Sequence, residues 1–201
     1  RDKLAAAVAR DGVVVPELVR QLRAAVGEPY AAFVHKGATS QDVIDTSLFL
    51  RLQAASDILV GRLDTLIAGF DHLADTAGET VLCGHTRMQR ARPVTLAHKI
   101  AAWRDPLMRQ RARMEPMSPE LFRAQLGGAV GNRAELGAAA DKVAEELAAR
   151  LGLHSSPRAT HTERDGIVTY GHWCTLVAGT LGKFGADITL MAQNEVGEVT
   201  I

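Results

Sequence analysis

From Ser40 onward the apolar positions Ile44, Leu48, Leu52, Ala55, Leu59, Leu63, Leu66, Phe70, Leu73 and Ala77 advance by fours and threes. That is the period of one helix face, so the spacing predicts a single very long helix, bent near Gly61 or Gly69. Upstream, Gly12, Pro16, Gly27 and Pro29 break residues 1–34 into short helices, with Pro16 suited to the first turn of a helix over 16–26. Residues 80–93 read as a polar, cation-rich connection, and helical spacing returns over 94–114 with Pro106 as a kink. Ser118-Pro119-Glu120 has the form of a cap followed by a proline at the first position of a new helix. Gly127-Gly128-Ala129-Val130-Gly131-Asn132 interrupts the pattern, which resumes over 133–151 and stops at Gly152.

The last segment is the most regular. Ile167, Cys174, Leu181 and Ile188 alternate with Tyr170, Val177, Phe184 and Met191 in a seven-residue repeat, the mark of helix-on-helix packing. Gly171, Gly179, Gly182 and Gly185 would each cost roughly 1 kcal/mol against Ala in an exposed helix, so their number predicts close approach of a neighbouring helix. No alternating strand pattern is evident. The expected class is all-α. Helices this long leave apolar stripes that so small a chain cannot wrap, which predicts an oligomeric bundle.

Composition narrows the function. With 201 residues, 47% hydrophobic content and 23 basic against 23 acidic residues, the chain can bury a core. Zero formal net charge argues against nucleic acid or an anionic membrane surface as partner. Cys83 and Cys174 lie far apart without CxxC spacing and no secretory signal is present, so a reducing cytoplasm is the expected location. The seven histidines contain no HxxxH or HxH pair, so the sequence gives no positive reason to propose a metal.

Three clusters share a logic of anion recognition. In the first, His35-Lys36-Gly37-Ala38-Thr39-Ser40-Gln41-Asp42 sets a cation, hydroxyls and an amide at a helix start, where free N–H groups and the positive end of the dipole suit a carboxylate. The second, Gly84-His85-Thr86-Arg87-Met88-Gln89-Arg90-Ala91-Arg92-Pro93 followed by Lys99, offers guanidinium forks with Thr86 and Gln89 as neutral donors. The third is Gln125 with the glycine turn over 127–131, whose backbone N–H groups can approach a ligand. Each also fits a plainer reading: an ordinary cap, a solvated basic loop, a helix break. His154, His161 and His172 read as surface or satisfied polar residues.

Taken together and in this order, the clusters resemble the fumarase/aspartase superfamily and, within it, the 3-carboxy-cis,cis-muconate cycloisomerases. The resemblance runs from Val13 to Val199. His35-Lys36-Gly37-Ala38-Thr39-Ser40-Gln41-Asp42-Val43-Ile44-Asp45-Thr46 matches that family's first region, and residues 84–93 with Lys99 and Trp103 resemble its second. Gln125-Leu126-Gly127-Gly128-Ala129-Val130-Gly131 and His161-Thr162-Glu163-Arg164-Asp165 stand at the expected later positions, and Glu195-Val196-Gly197-Glu198-Val199 resembles the run into the third region. His85 stands where the superfamily usually has Arg, and Arg87 where lyases of adenylosuccinate and fumarate carry a catalytic histidine. The loop expected to bear the catalytic serine falls beyond Ile201, as in a piece of a longer protein.

The resemblance implies cofactor-free, reversible intramolecular addition of a carboxylate in 3-carboxy-cis,cis-muconate to give a carboxymuconolactone, a step of protocatechuate breakdown. It implies a homotetramer whose sites are shared between subunits, and a division of this chain into a partial N-terminal helical domain over 1–39 and part of a central long-helix bundle over 40–201. It assigns Lys36, Thr39, Ser40 and Gln41 to one substrate carboxylate, Thr86, Arg87 and Gln89 to another, and Gln125 with Arg164 to supporting contacts. His85 is the one titratable candidate in the second region for moving a proton, and His85 and Arg87 are its catalytic candidates. Two alternatives stay open: an adenylosuccinate lyase, whose usual His-Asp-Val segment is missing from residues 27–34, and a non-catalytic helical assembly module.

Overall fold

The computed structural model describes residues 1–200. Its elements are α1 (Asp2–Asp11), α2 (Val15–Val26), α3 (Ser40–Ala77), β1 (Val81–Thr86), β2 (Gln89–Thr95), α4 (Leu96–Leu121), α5 (Ala140–Leu151) and α6 (Asp165–Met191). Short 3-10 turns lie at Tyr30–Phe33 and Ala134–Ala139. The fold is all-α apart from one hairpin, as the periodicity predicts. The long helix spans the predicted residues, Pro16 occupies the first turn of α2, and Gly152 closes α5 in the left-handed conformation.

Three local expectations are corrected. Residues 80–93 form an antiparallel hairpin, with Val81 opposite Thr95, Leu82 opposite Val94 and Thr86 opposite Gln89. Half of β1 and most of β2 are exposed, and neither carries the one-sided alternation that marks a strand in sequence. Ser118-Pro119-Glu120 starts no helix and lies in the last turn of α4. The buried stripe Leu107, Gln110, Met114, Met117 and Leu121 runs through it at helical spacing, and this packing overrides the local start signal. Finally, a Cβ built on Gly171, Gly179, Gly182 or Gly185 would meet nothing within 4 Å among the described residues. The close approach these glycines predict is therefore not made among the described residues.

Residue contacts divide the chain into two compact units, residues 1–54 with 119–165 and residues 55–118 with 166–201. In the first, Phe49, Phe122, Leu126, Ala144 and Ala148 are buried, with Gln125, Arg133 and Ser156 among them. Arg133 lies in this apolar setting because its Nε donates to the Leu126 carbonyl at 2.7 Å and its guanidinium also reaches the Ser156 carbonyl. In the second unit the core is aromatic. Trp103 and Phe184 meet edge to face at 5.0 Å, and Phe70 and Phe184 at 5.2 Å.

Both indoles are satisfied. Trp173 Nε1 donates to the Gln110 carbonyl at 2.8 Å and Trp103 Nε1 to Asp187 at 2.6 Å. Burial pushes the Asp187 carboxyl up, but hydrogen bonds from Lys183 and Trp103 outweigh it and hold the group below the usual carboxylate range. Among the described residues no helix is long and apolar enough to cross a membrane.

Candidate functional site

In the first unit the site residues converge on two buried aspartates of α3. Asp42 is at the third helical position, and its Oδ2 accepts the Thr39 backbone N–H at 2.9 Å. This is one half of a capping box, an acidic side chain reaching back to the cap residue. The same carboxylate takes the Gly127 N–H on Oδ1 at 2.8 Å and the Gly128 N–H on Oδ2 at 3.0 Å. His161 Nε2 completes the set, 2.6 Å from Oδ1. The N–H groups of the glycine turn do bind a carboxylate, and it is the protein's own.

One turn further on, Asp45 Oδ1 accepts from Gln41 Nε2 at 2.8 Å and from Arg164 Nη1 at 3.0 Å. Arg164 also donates to the His161 carbonyl, so one guanidinium ties the loop before α6 to the start of α3. Asp45 Oδ2 is buried without a partner among the described residues. Thr46 Oγ1 accepts the Gln125 N–H at 2.9 Å, while the Gln125 side-chain oxygen accepts from Thr160 N at 2.8 Å and its Nε2 reaches the Arg123 carbonyl. The Gln125 amide is buried and holds backbone at both ends.

Glycines in this region are there for space. A Cβ on Gly127 would lie 2.3 Å from the Ala159 Cβ, and Gly37, at φ 66°, would bring one to 2.8 Å from the Leu136 side chain. Thr39 and Ser40 are half-buried at the helix start, and Lys36 is exposed with its Nζ 5.5 Å from the centre of the Phe33 ring.

The second unit holds the hairpin residues. Arg87 and Met88 form the two-residue turn joining Thr86 to Gln89, and both have positive φ, 50° and 62°. Hairpin turns of this kind favour Asn-Gly, so two larger side chains are held here in a conformation they seldom adopt. His85, Arg87, Arg90 and Lys99 line a hollow of about 480 Å³ with Asp187, Glu195 and Glu198. Glu198 closes one side: its Oε1 accepts the Cys83 N–H at 3.1 Å and its Oε2 pairs with Lys99 at 3.5 Å. Asp187 is held by Lys183 and Trp103. Among the described residues Arg87, Arg90 and Arg92 form no ion pair.

The predicted residues thus fall into two groups, Lys36, Thr39, Ser40, Gln41, Gln125 and Arg164 in one unit and His85, Thr86, Arg87 and Gln89 in the other. Sequence reasoning missed the organising role of Asp42, Asp45 and His161. The usable signal was Asp42 three residues after Thr39, an acidic capping position, and Asp45 one turn beyond it on the same face.

The family described as Lyase matches residues 9–201 of this chain. A 3-carboxy-cis,cis-muconate cycloisomerase of Pseudomonas aeruginosa is 42% identical over 199 residues, which cover 98% of this chain and 43% of that protein. Among solved structures, a 3-carboxy-cis,cis-muconate lactonizing enzyme from Pseudomonas putida is 43% identical with a TM-score of 0.89, over 96% of this chain and 45% of that one. A fumarate lyase from Mesorhizobium sp. BNC1 has a TM-score of 0.91 at 33% identity, over 98% and 46%. The chain spans less than half the length of these relatives.

Proposed function

This chain belongs to the lyase family, of the fumarase/aspartase kind, and from that premise we propose that it acts as a cycloisomerase on 3-carboxy-cis,cis-muconate. The reaction is reversible addition of one substrate carboxylate across a conjugated double bond, giving a carboxymuconolactone. The observation that carries the reading is the set of guanidinium groups on the hairpin, Arg87 and Arg90 beside the hollow and Arg92 further along, without acidic partners among the described residues. Unpaired guanidinium forks favour a ligand with several carboxylates, and 3-carboxy-cis,cis-muconate has three.

In this reading Arg87, Thr86 and Gln89 grip one carboxylate, and Lys36, Thr39, Ser40 and Gln41 a second at the start of α3. Arg164 is anchored by Asp45 and supports the second group, while Gln125 acts by fixing the backbone of the glycine turn. The barrier is the carbanion formed beside a carboxylate. Donors aimed at that charge supply the main stabilisation, and losing one costs roughly 3–4 kcal/mol in other enzymes. His85 lines the hollow and is the second-region candidate for moving the proton.

We place the active assembly as a homotetramer in the cytoplasm with sites shared between subunits, serving protocatechuate breakdown within aromatic catabolism. Residues 1–39 then belong to an N-terminal domain and residues 40–201 to the central bundle. The test is an assay of the full chain with 3-carboxy-cis,cis-muconate, following loss of the diene absorbance and identifying the lactone by mass. Ser40→Ala is expected to lower turnover 100-fold or more with the circular dichroism unchanged; near-normal turnover would remove Ser40 from the site, and no lactone from the unsubstituted protein would overturn the substrate.

A further inference from the structure

Addition of a carboxylate to a conjugated double bond requires one proton at carbon, and a residue that moves it works best when a third group fixes its orientation. His85 is exposed on the hairpin and hydrogen-bonds to no carboxylate among the described residues. His161 has what His85 lacks. Its Nε2 lies 2.6 Å from Oδ1 of Asp42, a carboxylate that is itself buried and held by the backbone N–H groups of Thr39, Gly127 and Gly128.

That network decides the tautomer. Two N–H groups already point at Oδ2 and one at Oδ1, so the remaining acceptor position on Oδ1 takes its hydrogen from the ring. Nε2 therefore carries a hydrogen, and in the neutral ring the lone pair is left on Nδ1, which has no partner among the described residues. An imidazole fixed by a buried carboxylate through one nitrogen, with the other nitrogen available, is the geometry of a general base. The ring is also well sited. Arg164 donates to its backbone carbonyl, Asp42 lies two residues from Ser40, and its Cε1 approaches the glycine turn closely enough that a Cβ on Gly127 would sit 3.2 Å away. The charged groups facing it are Asp42 and Arg164, with Asp45 behind the latter.

We propose that His161 is the catalytic residue that carries the proton at carbon, with Asp42 as its positioning residue. In lactone opening, the Nδ1 lone pair takes the hydrogen from the carbon next to a carboxylate, that C–H electron pair becomes the new C=C bond, and the ring C–O bond breaks to release the carboxylate. In lactone formation the imidazolium returns the proton to the same carbon as the carboxylate oxygen bonds to its neighbour. The assignment rests on the cycloisomerase reading.

The test uses the full chain and both directions of the reaction. His161→Ala is expected to lower kcat at least 100-fold with KM changed less than threefold, and to lose the limb of the kcat–pH profile that reports the base. Added imidazole restores turnover to this variant with a pH dependence that follows the free imidazole. Asp42→Asn keeps the shape but not the charge, and lowers kcat with a displaced limb. His161→Gln serves the same comparison if the alanine variant is unfolded, and unfolding of both assigns His161 to the scaffold and overturns the role. Retention of kcat and of the limb in a folded His161 variant overturns it, as does loss of the limb in His85→Gln instead. An unsubstituted protein that makes no lactone fails at the substrate, a distinct result, and overturns this role with it.

Discussion

Asp187 shows how one carboxylate joins packing to charge. It accepts the Trp103 indole N–H and the Lys183 ammonium, and those bonds outweigh the burial that would raise its pKa. A carboxyl whose folded pKa lies below its unfolded value adds stability above the unfolded value, and that contribution disappears as the pH falls through the folded one. The urea midpoint is therefore expected to fall on acidification below about pH 4. Asp187→Asn should be less stable at pH 6 and flatten that part of the curve, and an unaltered slope would remove Asp187 as its source. At this scale the sequence was only partly legible. Arg164 and Gln41 were recognisable as anion-seeking side chains; Gln41 meets Asp45 one helical turn away, but that Arg164 turns to Asp45 follows from a contact across 119 residues, which no local pattern encodes.

The elements divide into those whose signal is local and those set by their surroundings. The long helix was readable because its apolar face repeats through ten positions, and the α5 stop because Gly152 supplies the left-handed cap. The hairpin was not readable. Its strands are exposed on most positions and its turn is Arg87-Met88, without the Asn or Gly that announces such a turn. Gly84 marks the irregular register between Cys83 and His85, where a Cβ would lie 2.4 Å from the Arg92 carbonyl oxygen. Met88 is 80% exposed at φ 62°, so its side chain contributes strain and little packing. Met88→Gly is expected to slow hydrogen exchange of the hairpin amides about fivefold, a gain near 1 kcal/mol, and Met88→Val to speed it. Equal exchange in the two variants would show that the turn carries no such strain.

For the molecule as a whole, the apolar character of α6 exceeds what the chain itself covers. Tyr170, Trp173 and Met191 are buried, whereas Val168 is 67% exposed and Leu181 39%, with the four glycines facing open space among the described residues. The seven-residue repeat predicts helix-on-helix packing, and part of that packing is supplied here. If the proposed tetramer covers the glycine face, Gly182→Leu in the full chain should keep its helix content while light scattering shows a mass below four copies. An unchanged mass would mean that this face stays uncovered. The 1–39 and 40–201 division is what the family resemblance implies; the residue contacts are a separate grouping, in which α3 and α4 each run from one unit into the other.

The placement of the indoles has a practical outcome. The chain has two tryptophans, 103 and 173, and both belong to the unit formed by residues 55–118 and 166–201. Tryptophan emission, excited selectively over the tyrosines, thus reports on that unit alone, while backbone ellipticity reports on both. Overlaying the two denaturation curves asks whether the halves of the molecule lose their order as one cooperative event or in succession, with no label attached.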